Sequence, residues 1–187
     1  MFFLSLIEHT LRLPPHLLSL PLPEAIQGEL ETLFLDKVIP NLGLCISVYD
    51  IRSINGGFIF AGDGSSTYTV VFRLIMFRPF VGEILSGKVE ASDASGLRLS
   101  LGFFKDILVP VHLLPNPSKF GEDGRWTWEF QDVDLTIEKD DEIRFRIHSI
   151  IYPPIPVEQE ENAKAFAPML ITASIDYDGL GPVSWWV

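Results

Sequence analysis

The 187-residue chain contains a single cysteine, Cys45. It cannot close an intrachain disulfide, and its neighbours Leu44 and Ile46 predict a buried thiol, which fits a reducing compartment. Positive charge is also scarce: 14 Lys and Arg stand against 25 Asp and Glu, for a formal net charge of −11. The deficit is uneven. Residues 1–79 hold seven acids and five bases, whereas residues 80–187 hold eighteen and nine. A face that grips a nucleic-acid backbone by charge alone carries a basic excess. Any contact with RNA or DNA is therefore expected to be local. No apolar run reaches the ~20 residues of a membrane helix, so no membrane partner is expected. The start, Met1-Phe2-Phe3-Leu4-Ser5-Leu6-Ile7-Glu8, is apolar but short, has no basic region and meets an acid early. It is not expected to be a signal peptide.

Groupings that carry catalysis are missing as well. The four histidines (His9, His16, His112, His148) are scattered, none at metal-ligand spacing, and there is no Cys-x-x-Cys. They are expected to be satisfied or exposed side chains. Gly62-Asp63-Gly64-Ser65-Ser66-Thr67 has the glycines of a phosphate loop but lacks its Gly-Lys-Ser/Thr ending and leads into a strand. It reads as a plain turn, because a phosphate cradle needs a helix N-terminus behind it. Asp140-Asp141-Glu142 reads as a solvated turn ahead of a strand. The expectation is a non-catalytic protein with no cofactor, no metal and no catalytic residue.

What is present is a globular composition, 47% apolar and 21% charged. A mean hydropathy of +0.25 is high for so charged a chain. It allows either a well-filled core or apolar surface covered by partners. The length suits one medium domain or two small ones. Proline stops a central strand because it donates no N–H, so Pro79 predicts a boundary, with domains at 1–79 and 80–187.

In the first domain, residues 2–13 read as a strand closed by Pro14-Pro15. Residues 23–35 read as the one clear helix, with Pro23 and Glu24 suited to its first turn. Ile26, Leu30, Leu33 and Phe34 form its apolar stripe, and Gly28 weakens it by ~1 kcal/mol relative to Ala. Strands follow at 38–39, 42–54, 58–61 and 68–77, with Asn55-Gly56-Gly57 predicting a hairpin and Gly62-Asp63-Gly64 a second turn. The fold class is α+β, an antiparallel sheet with one helix. The second domain is all-β, with candidate strands at 81–90, 97–102, 106–109, 126–130, 143–150 and 169–176. Five or six short strands predict a five-stranded OB/S1-like barrel. An acidic, proline-rich segment at about 153–167 is expected to be a mobile loop.

An OB barrel binds nucleic acid through aromatic stacking and basic side chains on its strands. The candidates are Lys88, Arg98, Phe103, Phe104, Lys105, Arg144 and Arg146. The alternative is that the arginines are the solvated face opposite Ile143, Phe145 and Ile147, and that Phe103 and Phe104 are one surface and one core residue. Trp126 and Trp128 share a strand face, and Trp185-Trp186 lies near the carboxy terminus. They mark an interface or cap the barrel.

Several tracts together resemble one family. They are Met1-Phe2-Phe3-Leu4, Pro14-Pro15, Asn41-Leu42-Gly43-Leu44-Cys45, Gly62-Asp63-Gly64, Phe77-Arg78-Pro79-Phe80, Gly82-Glu83-Ile84-Leu85, Ser100-Leu101-Gly102-Phe103-Phe104, Asp106-Ile107-Leu108-Val109-Pro110, Glu142-Ile143-Arg144-Phe145-Arg146 and Gly179-Leu180-Gly181-Pro182-Val183-Ser184-Trp185-Trp186. With them the chain resembles the larger stalk subunit of RNA polymerase III. The resemblance implies an N-terminal tip domain, an S1-related barrel and a nuclear location. It implies pairing with a smaller helical stalk subunit, contact with the polymerase core and with transcription initiation factors, and support of initiation on tRNA and 5S rRNA genes near the nascent RNA. By the same resemblance Gly62, Asp63 and Gly64 lie in the tip that meets the core. S1 domains usually carry aromatics after the glycine corresponding to Gly96, and here Leu97-Arg98-Leu99 follow it. The stalk subunit of another nuclear polymerase, and a free-standing S1/OB RNA-binding protein, remain as alternatives.

Overall fold

The computed structural model describes residues 1–156 and 167–187, so most of the expected acidic loop lies outside the described residues. The chain divides into two compact units, Met1–Arg78 and Pro79–Val187. Among the described residues no helix is long and apolar enough to cross a membrane.

The first unit runs β1 (Phe2–Leu13), a short 3-10 turn (Pro15–Ser19), α1 (Leu22–Phe34), β2 (Val38–Ile39), β3 (Gly43–Ile59) and β4 (Ser66–Phe77). The sheet order is β1-β4-β3-β2, antiparallel at every pairing. Period-two alternation along β1 puts Leu11 and Leu13 inward. They meet Val70, Phe72 and Leu74 of β4 and Ala25, Ile26 and Leu30 of α1 in one core. Thirteen residues of helix are marginal alone, so this packing is what holds α1. Its stripe is narrower than expected: Leu33 is 39% exposed, and Phe34 alone carries the contact on at that end.

The predicted hairpin at Asn55-Gly56-Gly57 does not form. β3 passes straight through and stays laddered to β4 from Leu44↔Phe77 to Ile59↔Ser66, with a bulge between Gly56 and Phe58. Gly56 and Gly57 do have positive φ, +111° and +97°. They spend that freedom on the bulge, where a Cβ at Gly56 would lie 2.7 Å from the Thr67 carbonyl oxygen. The one reversal between β3 and β4 follows Ile59 and contains Gly62-Asp63-Gly64.

The second unit contains β5 (Ile84–Asp93), β6 (Gly96–Ser100), β7 (Ile107–Pro110), β8 (Ser118–Phe120), β9 (Trp126–Phe130), β10 (Val133–Ile137), β11 (Glu142–Ile151), β12 (Leu170–Ser174) and β13 (Gly181–Pro182). β5, β6, β7, β12 and β11 close into a ring, with β7 and β12 parallel and the other pairings antiparallel. This is a closed five-stranded barrel of OB type. Its interior is filled by Leu99, Ile107, Ile143 and Phe145, all fully buried. Gly96 opens β6 with φ +139°, and a Cβ there would fall 2.0 Å from the Val109 carbonyl oxygen, so close strand approach requires glycine.

The strand at 126–130 is not a barrel strand. Among the described residues β9 pairs only with β8 and β10, in a separate three-stranded sheet inserted between β7 and β11. Charged residues in β8 and β10, such as Lys119 and Asp134, hide both strands from an apolar pattern search. Trp126 is 5% exposed and its Nε1 donates to the Asp93 carbonyl oxygen at 2.8 Å, tying the insert to the β5–β6 turn. The Trp128 ring lies 5.3 Å from that of Trp185.

Candidate nucleic-acid and assembly surfaces

Alternation along β11 turns Ile143, Phe145 and Ile147 inward and leaves Arg144, Arg146 and His148 exposed. The register sets Arg144 opposite Ser86, Arg146 opposite Ile84, and Glu142 opposite the exposed Lys88 of β5. Lys88, Arg144 and Arg146 therefore share one outer strip across β5 and β11. Arg146 already has a ring partner: its guanidinium carbon lies 5.0 Å from the centre of Tyr177. Among the described residues Lys88 and Arg144 have no ion pair.

The other candidates lie elsewhere on the barrel. Arg98 of β6 is opposite Ala91 and Leu108. With them, Asp93 and Ser95 it lines a cavity of about 450 Å³ on the outer face of β5, β6 and β7. That volume is in the range of ligand sites, about 300–1,000 Å³. The Ser95 hydroxyl and backbone N–H both donate to Asp93, holding its carboxyl below the ordinary value. A fixed negative charge thus stands at one end of a cavity whose other charged lining residue is Arg98. Lys105 sits in the β6–β7 connection, where its Nζ donates to Glu90 at 3.1 Å, so its charge is matched locally. In the same connection Phe104 is 6% exposed and Phe103 49%. Phe104 is a core residue, and Phe103 is half exposed at the surface. The structure thus brings Lys88, Arg144 and Arg146 together on β5 and β11, with Arg98 on the next strand, β6, whose Ser100 pairs with Lys88, and the Phe103–Lys105 connection following it. Sequence reading passed over Leu108 and Ser95, whose only signal was an outward leucine and a turn residue beside Arg98.

In the first unit Gly62, Asp63 and Gly64 form the β3–β4 reversal, and Asp63 accepts from Arg12 of β1. The feature missed in the sequence lies just before it. Phe58, Ile59 and Phe60 are 70%, 64% and 62% exposed, an apolar tip at the end of the long β3–β4 ribbon. Three consecutive large apolar residues against a Gly-Asp-Gly turn were the available signal, since a buried strand end would not keep all three in solvent.

A family model described as RNA polymerase III subunit Rpc25 matches residues 83–186, the barrel together with its three-stranded insert. The chain belongs to the Rpc25 family. A second model, described as the SHS2 domain found in the N terminus of Rpb7p/Rpc25p/MJ0397, matches residues 8–64. Full-length Rpc25-type relatives agree. The chain is 38% identical to DNA-directed RNA polymerase III subunit rpc8 of Schizosaccharomyces pombe over 202 aligned residues, covering all of both proteins. It is 37% identical to subunit RPC8 of Bos taurus, covering all of this chain and 98% of that one. Against RPC8 of Saccharomyces cerevisiae the identity is 34%, again over the whole of both.

Proposed function

We propose that the chain is the larger, non-catalytic stalk subunit of nuclear RNA polymerase III. It pairs with a smaller helical stalk subunit, seats its β3–β4 tip on the polymerase core, and supports initiation on tRNA and 5S rRNA genes. The observation that carries this reading is the end-to-end similarity to polymerase III subunits, with the Rpc25 match spanning barrel and insert. The apolar tip supports the assembly role, because Phe58, Ile59 and Phe60 together are costly in water and gain by burial against a partner. The outer strip of Lys88, Arg144 and Arg146, with Arg98 and Phe103, supports contact with nascent RNA on the barrel. An acidic unit needs such a local concentration of donors to hold phosphate.

The test is a tagged copy recovered from nuclear extract at moderate salt. Recovery of polymerase III large subunits with a small helical partner is expected. Recovery of another polymerase changes the genes served, and recovery of ribosomes or free RNA alone removes the stalk reading. A Phe58→Ser, Phe60→Ser double variant is expected to keep the small partner and lose the core. RNA crosslinking within the assembled enzyme is expected to fall on replacing Arg98, Arg144 and Arg146 with Ala. An unchanged crosslink yield removes the barrel from the RNA path.

A further inference from the structure

A second cavity in the barrel unit has a different chemistry. It measures about 110 Å³ and is lined by Trp128, Tyr177, Trp186, Asp176, Asp178 and Pro115, together with the buried Ile175 and Leu180. Its size sets the ligand class. Sites for small molecules run about 300–1,000 Å³, and one water takes ~30 Å³ of liquid. This cavity therefore admits the head of one side chain and excludes a nucleotide or a cofactor.

Its lining sets the charge. The Trp128 Nε1 donates to the Asn116 carbonyl oxygen at 3.3 Å, and the Trp186 Nε1 donates to that of Leu180 at 2.8 Å. Both indole donors are thus used on backbone. The Trp128 ring packs on Phe130 and Trp185, at 4.7 and 5.3 Å between ring centres, so what a visitor meets is chiefly the half-exposed Trp186 ring, the carboxylates of Asp176 and Asp178, and the Tyr177 ring and hydroxyl. Among the described residues neither Asp176 nor Asp178 has an ion-pair partner. Tyr177 already shows the matching contact from within the chain, the Arg146 guanidinium at 5.0 Å from its ring centre.

We propose that this pocket docks an arginine side chain from a basic segment of a partner polypeptide. A guanidinium carries only donors, stacks on aromatic faces and forks onto a carboxylate, so it satisfies both halves of the lining at once. An ammonium meets the carboxylates but lacks the flat face. Nucleic acid is disfavoured here, since two carboxylates at the rim repel phosphate. Eighteen acids against nine bases over residues 80–187 add a long-range attraction for a basic segment.

The experiment follows the indole N–H resonances of Trp128 and Trp186 in the full chain. The probes are a capped Gly-Ser-Lys-Arg-Lys-Ser-Gly peptide, the same peptide with Gln in place of Arg, and oligouridylate. The arginine peptide is expected to shift both resonances at low salt. The glutamine peptide is expected to bind about tenfold more weakly, and the Asp176→Asn, Asp178→Asn chain to lose a similar factor, as charged hydrogen bonds do when one partner is removed. Both aspartates are exposed, so the double variant keeps its fold. A Trp186→Ala chain supplies a second loss of binding that leaves the charges in place. Equal binding of the two peptides, or undiminished binding by the Asn variant, overturns the proposal. So does a shift of the same resonances by oligouridylate and not by peptide.

Discussion

The two units use one strand pattern to opposite ends. In the first, an open sheet buries one face under α1, yet the first outward positions of β1 are still apolar, with Phe2, Leu4 and Leu6 at 54%, 51% and 66% exposure before Glu8, Thr10 and Arg12 follow. In the second, the sheet closes on itself, and the outward positions of β11 are Arg144, Arg146 and His148. A closed barrel completes its own core and has polar positions to spare for contact. An open sheet whose solvent face is apolar at one end has the composition of one covered there. The first unit is therefore suited to hold by burial, and the second to touch by charge and ring stacking. This division agrees with the role proposed for each unit, burial against a partner for the first and nucleic-acid contact for the second.

The sharpest way to break the comparison is to empty each core in turn. Phe72 and Phe145 are fully buried, one in each unit. Each Phe→Ala change is expected to cost about 3–5 kcal/mol. All four tryptophans (Trp126, Trp128, Trp185, Trp186) lie in the second unit, so their fluorescence reports on that unit alone. Denaturant unfolding read by tryptophan is expected to shift in Phe145→Ala and to stay put in Phe72→Ala, whose loss appears only in far-ultraviolet dichroism. Equal shifts in both mean that the units unfold as one body, and the comparison fails.

Alkali sharpens it next. Burial, with the Asp36 charge adding to it, pushes the Cys45 thiol from 9.0 up to about 11. Between these values the unfolded chain gives up a proton that the folded one keeps, so stability falls as pH rises from about 9 to 11. The full effect is about 3 kcal/mol, at 1.36 kcal/mol per pKa unit. It belongs to the first unit, since Cys45 is the only cysteine. A Cys45→Ala chain is expected to lose less stability over this window by dichroism, with the tryptophan-reported transition unaltered. Parallel alkaline declines in the two chains remove the thiol as the cause.

Two glycines make a smaller contrast. At Gly96 a Cβ meets the Val109 carbonyl oxygen at 2.0 Å and φ is +139°, whereas at Gly28 in α1 nothing lies within 4 Å. Gly96→Ala is expected to destabilise the barrel by about 1–3 kcal/mol. Gly28→Ala is expected to stabilise the first unit by about 0.5–1 kcal/mol. Urea midpoints that move in the same direction contradict the geometry at one of the two.

These contrasts also mark where sequence reading succeeds. Strands with clean alternation, such as β11, and a helix with proline in its first turn announce themselves, because burial imposes the period directly. The barrel was legible for that reason. Asn55-Gly56-Gly57 misled, because positive φ serves a bulge as readily as a reversal and local chemistry cannot tell them apart. The insert was half visible: Trp126 and Trp128 showed β9, but β8 and β10 owe their pairing to backbone ladders rather than to apolar side chains. The candidate surfaces were legible only as residue types. Lys88 is far in sequence from Arg144 and Arg146 and meets them through the β5–β11 register. The exposure of Phe58, Ile59 and Phe60 depends on how far the ribbon reaches beyond its core.

The smallest expected effect compares a paired charge with an unpaired one. In the first unit the Arg73 Nε donates to Asp50 at 2.8 Å, and this hydrogen bond holds the Asp50 carboxyl below its ordinary value. A depressed carboxyl contributes stability above its unfolded pKa and loses it as pH falls through the lower folded value. Wild type is therefore expected to exceed Asp50→Asn slightly at neutral pH, with the gap closing in acid. In the barrel, Arg144 has no ion-pair partner among the described residues. Arg144→Ala is expected to leave stability unchanged at every pH and to be felt only in RNA crosslinking. If instead Arg144→Ala destabilises the barrel while Asp50→Asn is silent, the assignment reverses: the barrel's basic strip then serves the fold, and the sheet's ion pair does not.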